Sequence, residues 1–140
     1  MAKNQKNVLI VDDYDMSSLA YILENTVGGK VFFPRGETEA LKYLKEGNID
    51  VILFEPLMGG NYLATKIDTV RNWESGGGGF VLFGTILEEI QKLEKKPKII
   101  FHTLASQNTL KDGGFSQDHL RVYFRKPTKS TTLIEEIKKS

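Results

Sequence analysis

Val8-Leu9-Ile10-Val11-Asp12-Asp13 begins the hydrophobic patterning of the chain, and Val51-Ile52-Leu53-Phe54-Glu55-Pro56 repeats its logic. Each is a short apolar run rich in β-branched residues that ends on an acid. Continuous apolar runs of this length read as strands buried on both faces, the habit of parallel sheets. In an open parallel sheet the carboxyl ends of the strands converge on one crevice, where ligands bind. Asp12, Asp13 and Glu55 are therefore expected to meet there as an acidic pocket, and three close carboxylates repel one another unless a cation joins them. A candidate cation follows a later strand, Val122-Tyr123-Phe124-Arg125-Lys126-Pro127.

Working outward, strands and helices alternate. Strands are expected at 8–11, 30–33, 50–54, 98–103 and 120–125. A helix over 16–26, capped by Asp15, buries Met16, Leu19, Ala20 and Leu23 and stops at Gly28-Gly29. A second runs from Glu37 to Glu46, stopped by Gly47. A third, Phe80 to Lys95, carries Phe83, Leu87, Ile90 and Leu93 at helical spacing, and Pro97 ends it. A last one, from about Ser130 to Lys139, turns Leu133, Ile134 and Ile137 inward. Residues 104–119 contain Gly113-Gly114 and scattered polar side chains, so the helix expected there is short and irregular. The alternation implies right-handed βαβ units: an α/β sandwich, doubly wound, with five parallel strands in the order 2-1-3-4-5.

One stretch breaks the rhythm. Residues 59–79 lie where a loop of a few residues suffices. They begin Gly59-Gly60, end Gly76-Gly77-Gly78-Gly79, and carry Leu63, Ile67, Val70 and Trp73 between. The expectation is an inserted flap between glycine hinges, in an otherwise single domain.

The order acid pair, single acid, Lys-Pro resembles the receiver domain of two-component response regulators, the flavodoxin-like, CheY-like family. The resemblance covers roughly residues 7 to 139, apart from 59–79. It implies that Asp12 and Asp13 stand at the magnesium-binding positions and that Glu55 stands at the phosphoacceptor position, where the family carries an aspartate. It implies phosphoryl contact for Lys126, a switch hydroxyl for Thr103 and a switch aromatic for Tyr123. Counting from Pro97 instead places His102 at the hydroxyl position; its plainer reading is a half-buried histidine. The Lys-Pro bond is commonly cis in the family.

Glutamate is one methylene longer than aspartate. Its carboxylate reaches about where a phosphoryl oxygen would sit and carries negative charge itself. Phosphoryl transfer needs in-line positioning near a metal, so this substitution argues against efficient phosphorylation. The expectation is an atypical pseudo-receiver, not an enzyme, with no catalytic residue and at most weak magnesium binding at Asp12, Asp13 and Glu55. Its partner is a protein, a histidine kinase or a downstream signalling protein, and a homodimer is compatible. Two rivals are a phosphorylation-competent, magnesium-dependent regulator and a small-molecule-binding module using the acidic crevice.

Composition sets the outer bounds. The 140 residues hold 19 basic and 18 acidic side chains, a net charge of +1 that gives no support for nucleic-acid or anionic-membrane binding. There is no cysteine, which excludes disulfides and thiol chemistry. No apolar run approaches the roughly 20 residues of a membrane span, and the polar start is no signal peptide. A cytoplasmic location is expected, as a stand-alone domain or a piece of a longer protein. Phosphate-loop, dinucleotide-fingerprint, nucleophile-elbow and Cys/His metal patterns are all missing from the sequence.

Overall fold

The computed structural model describes residues 5–58 and 77–140. The elements, in chain order, are β1 (Lys6–Val11), α1 (Ser17–Glu24), β2 (Gly28–Phe32), α2 (Glu37–Lys45), β3 (Val51–Phe54), α3 (Gly77–Gln91), β4 (Lys98–Thr103), α4 (Gln107–Asp112), β5 (Tyr123–Arg125) and α5 (Ser130–Lys138). The sheet is parallel, in the order β2-β1-β3-β4-β5. Val11 lies beside Phe54 and Phe54 beside Phe101, so the carboxyl ends of the three central strands stop at one level.

Strand alternation builds two cores. Val8, Ile10, Val51, Leu53 and Ile100 face α1 and α5, meeting Leu23, Leu133 and Ile137. Leu9, Val11, Ile52, Phe54 and Phe101 face the opposite layer, meeting Ala40 and Leu44 of α2, Leu82, Phe83 and Ile86 of α3, and Leu110 of α4. Each such side chain contributes about 1.5–3 kcal/mol when fully buried. The second core is aromatic: Phe83 packs on Phe54, Phe101 and Phe115 with ring centroids 5.3–5.7 Å apart.

Several expectations need correction. Gly28-Gly29 does not end α1; it opens β2, and the helix stops at Glu24. Gly29 crosses β1 so closely that a Cβ would lie 2.2 Å from the Lys6 carbonyl oxygen, so these glycines serve strand pairing rather than helix termination. Asp15 is not the N-cap, which is Met16. Its carboxylate instead accepts the Ser17 N–H at 3.0 Å, an Asx-type turn one residue earlier. Helix α3 starts inside the glycine run and ends at Gln91, so Gly77–Gly79 are helical rather than part of a hinge. The remaining flap residues, 59–76, lie outside the described residues, and Leu63, Ile67, Val70 and Trp73 with them. Strand β5 is three residues long, not six, because Leu120 is taken up by turn hydrogen bonds to Ser116 and Gln117. The fourth helix is short, as its weak pattern predicts: six residues, capped by the Ser106 hydroxyl.

Candidate functional site

Register brings the acids together. The Glu55 N–H donates to the Val11 carbonyl at 2.9 Å, which sets the residue after β3 beside the end of β1. The Lys126 N–H donates to the Thr103 carbonyl at 2.8 Å, which sets the Lys-Pro segment beside the end of β4. Asp12, Glu55, Thr103 and Lys126 thus converge at one end of the sheet. Asp12 and Glu55 are 3% and 5% exposed, and Thr103 is fully buried. The Lys126-Pro127 bond is cis.

Lys126 occupies the middle. Its Nζ lies 2.8 Å from Asp12 Oδ2 and 3.1 Å from Glu55 Oε1. The other carboxylate oxygens are held by backbone: the Tyr14 N–H donates to Asp12 Oδ1 and the Leu57 N–H to Glu55 Oε2, both at 2.9 Å. The Thr103 side chain supports Glu55, and Thr103 Oγ1 accepts the Ala105 N–H at 3.2 Å. Two buried carboxylates therefore share one ammonium.

The electrostatics follow from that ratio. Burial pushes the Asp12 carboxyl above its ordinary value, with Lys126 and the Tyr14 N–H pulling against it. Burial does the same to Glu55, opposed by Thr103, the Leu57 N–H and Lys126. Burial alone would lower the Lys126 pKa, but Asp12 and Glu55 outweigh it and hold the ammonium up. The protonated lysine is held between the two carboxylates.

The fit to a divalent cation is accordingly poor. Among the described residues no three acidic or histidine side chains are arranged to hold a metal ion. Asp12 and Glu55 present oxygens already engaged by the ammonium and by backbone N–H groups, and Asp13 is on the exposed side. A hard cation needs about six oxygens and would have to draw these away from Lys126.

The acids line a cleft of about 360 Å³ with Tyr14, Leu57, Leu104, Lys126 and Pro127. Tyr14 and Leu104 stand at its mouth, 71% and 64% exposed. Tyr123 turns its hydroxyl to the Ala105 carbonyl, and Arg125 Nε donates to the Leu104 carbonyl at 3.0 Å. These two bonds tie the segment after β4 to β5.

The structure brings Asp12, Glu55, Thr103 and Lys126 together, with Thr103 rather than His102 beside Glu55; Asp13 is at the exposed rim of the cleft and the Tyr123 hydroxyl turns to Ala105. His102 is buried, not half-buried, and among the described residues its two ring nitrogens have no hydrogen-bond partner. Sequence reasoning missed Tyr14, Leu57, Leu104 and Ala105. All four act here through backbone groups, which no side-chain pattern announces; Tyr14 also adds an exposed ring 5.9 Å from the Lys126 ammonium.

No protein-family model matches the chain, and no curated protein matches it. Solved structures do. A chemotaxis protein, CheY4 of Vibrio cholerae, superposes with a TM-score of 0.63 at 20% identity, covering 96% of this chain and 98% of that one. A CheY-like receiver domain protein from Methanospirillum hungatei JF-1 gives 0.67 at 20% identity, over 96% and 92%. The fold is that of CheY-like receiver domains. A response regulator from Thermotoga maritima repeats the match, with a TM-score of 0.63 at 19% identity over 96% of both chains. In this CheY-like sheet the crevice at the ends of β1 and β3 is also the point where the strand order reverses, where such folds place their ligands. No helix among the described residues is long and apolar enough to cross a membrane.

Proposed function

We propose that this chain is a pseudo-receiver: a signalling domain with the receiver architecture that acts through protein–protein contact, with Glu55 in place of a phosphorylated aspartate. The observation that carries this reading is the Glu55–Lys126 pair. The carboxylate at the end of β3 is buried and bonded to the lysine at 3.1 Å and to the Leu57 N–H at 2.9 Å. A phosphoacceptor oxygen must be free to attack in line with the departing group. The extra methylene displaces the Glu55 carboxylate by about 1.5 Å relative to an aspartate, and errors of about 1 Å already cost roughly 100-fold in such reactions. The domain catalyses nothing in this reading. Its negative charge at the phosphoryl position is permanent, and Lys126 answers it permanently. The partner is a signalling protein, a histidine kinase or a downstream effector, and self-association is compatible with this reading.

Asp12, Thr103 and Lys126 match the receiver pattern by the sequence resemblance and meet at one end of the sheet, which favours descent from a phosphorylated domain over a new small-molecule site. Incubation with acetyl phosphate and magnesium, followed by intact-mass measurement, tests the reading. The expected result is an unchanged mass. A stable phosphoryl adduct that peptide mapping places on Glu55 would replace this reading with that of a working response regulator.

A further inference from the structure

We propose that His102 is an acid-sensitive prop beneath the Lys126 ion pair: neutral when packed, it gains on protonation a charge that no described residue around it accepts, and β5 is released from the sheet. The proposal is independent of whether Glu55 is ever phosphorylated.

His102 lies in β4 and pairs with Phe124 of β5. Strand alternation turns it to the same layer as Ile100, toward α1 and α5. It is 4% exposed, and among the described residues neither Nδ1 nor Nε2 has a hydrogen-bond partner. Buried polar groups in native proteins are nearly always paired, so an orphan imidazole calls for a reason.

Among the described residues, the acids at this end and face of the sheet are already paired. The apolar side chains of this layer include Leu19 and Ala20 of α1 with Met16 at its N-cap, Leu133, Ile134 and Ile137 of α5, and Phe124 of β5 with Val122 before it. Glu136 of α5 is paired with Lys98 and Lys139. Asp12 after β1 and Glu55 after β3 are both committed to Lys126 and to backbone N–H groups. Lys126 itself is the charge that reaches the ring, and it is a cation. A protonated His102 would therefore be a second cation beside the first, in an apolar layer.

Burial, and then the Lys126 charge, hold the imidazole down to about 4 from an ordinary 6.5. A base depressed in the folded state is protonated first in the unfolded state. Its contribution to stability is present above about pH 6.5 and is lost as pH falls toward about 4. The element that yields is β5, three residues long and, among the described strands, paired with β4 alone.

The test uses the full chain. The His102 Cε1 proton is followed by NMR as pH falls, and amide exchange protection is read at Phe124, Arg125 and Lys126. The expected midpoint lies well below 6.5. Between about pH 7 and pH 4.5, protection in β5 should drop roughly 10- to 100-fold more in the wild type than in His102→Gln. That variant keeps Asp12 and Glu55, so their titration cancels in the comparison. An equal loss of protection in both proteins would overturn the proposal. If His102→Gln does not fold, the wild-type midpoint decides alone: titration near 6.5 in the folded chain overturns it.

Discussion

Replacing Lys126 with methionine removes the ammonium that Asp12 and Glu55 share and keeps most of the stem. Two buried carboxylates then lose their cation. Breaking a buried pair by removing one partner costs about 3–5 kcal/mol, because the remaining charge is stranded. The contacts here are 2.8 and 3.1 Å, to side chains that are 4% and 6% exposed, while the lysine is 15% exposed and partly hydrated. That places the expected loss near the lower end, about 3 kcal/mol at neutral pH, a large share of a domain's roughly 5–15 kcal/mol. The loss should depend on pH with a definite sign. Both carboxyls already sit above their ordinary values through burial, with Lys126 among the groups restraining them. Without it they rise further. A carboxyl raised in the folded state binds its proton there before it does in the unfolded chain, so stability increases as pH falls through the folded pKa toward the unfolded one. Urea unfolding followed by circular dichroism at about pH 8 and about pH 5 should show the penalty of Lys126→Met shrinking in acid. The double variant with Glu55→Gln should recover much of it, since the two sites are in contact. A loss below about 1 kcal/mol at pH 8, the scale of a solvated surface pair, would refute the reasoning. So would a loss that does not change with pH.

Other consequences follow from the same geometry. Glu55→Asp shortens the side chain and loosens its hold on Lys126, and should permit some acetyl phosphate–dependent phosphorylation with magnesium, seen by intact mass where the wild type shows none. Manganese titrated against paramagnetic broadening of the Tyr14 and Leu57 amides should not saturate below about 1 mM, because the ammonium competes for the oxygens; tight stoichiometric binding would show the site to be better built for a metal than its geometry indicates. Gly114 has φ +113°, and a Cβ there would meet Phe80 at 3.0 Å. Gly114→Ala should lower stability by about 1–3 kcal/mol in thermal unfolding, mainly from backbone strain.

Much of the fold was legible because buried parallel strands write themselves as short apolar runs, and β1, β3 and β4 do so without ambiguity. Their lengths were not: Leu120 and Arg121 looked like strand but are spent on turn hydrogen bonds. Glycines misled in two places for one reason. A glycine marks a close approach or a permissive backbone without saying which, so Gly28-Gly29 read as a helix stop and Gly77–Gly79 as a hinge. At the site, Asp12, Glu55, Thr103 and Lys126 were legible from strand ends and from the family pattern. The Tyr14 and Leu57 amides were not, since any residue supplies an N–H. The burial of His102 was hidden by the usual habits of histidine, which is more often at least partly solvated.

The central claim is that the switch end of the sheet holds one arrangement, set by Glu55 and Lys126, that a phosphodonor does not alter. Amide NMR spectra of the full chain in magnesium, with and without acetyl phosphate, test it most directly. The account predicts that the cross-peaks of Thr103, Ala105, Tyr123 and Lys126 stay where they are when the donor is added. A second, displaced set for those residues, growing with donor and lost in Glu55→Gln, would contradict it.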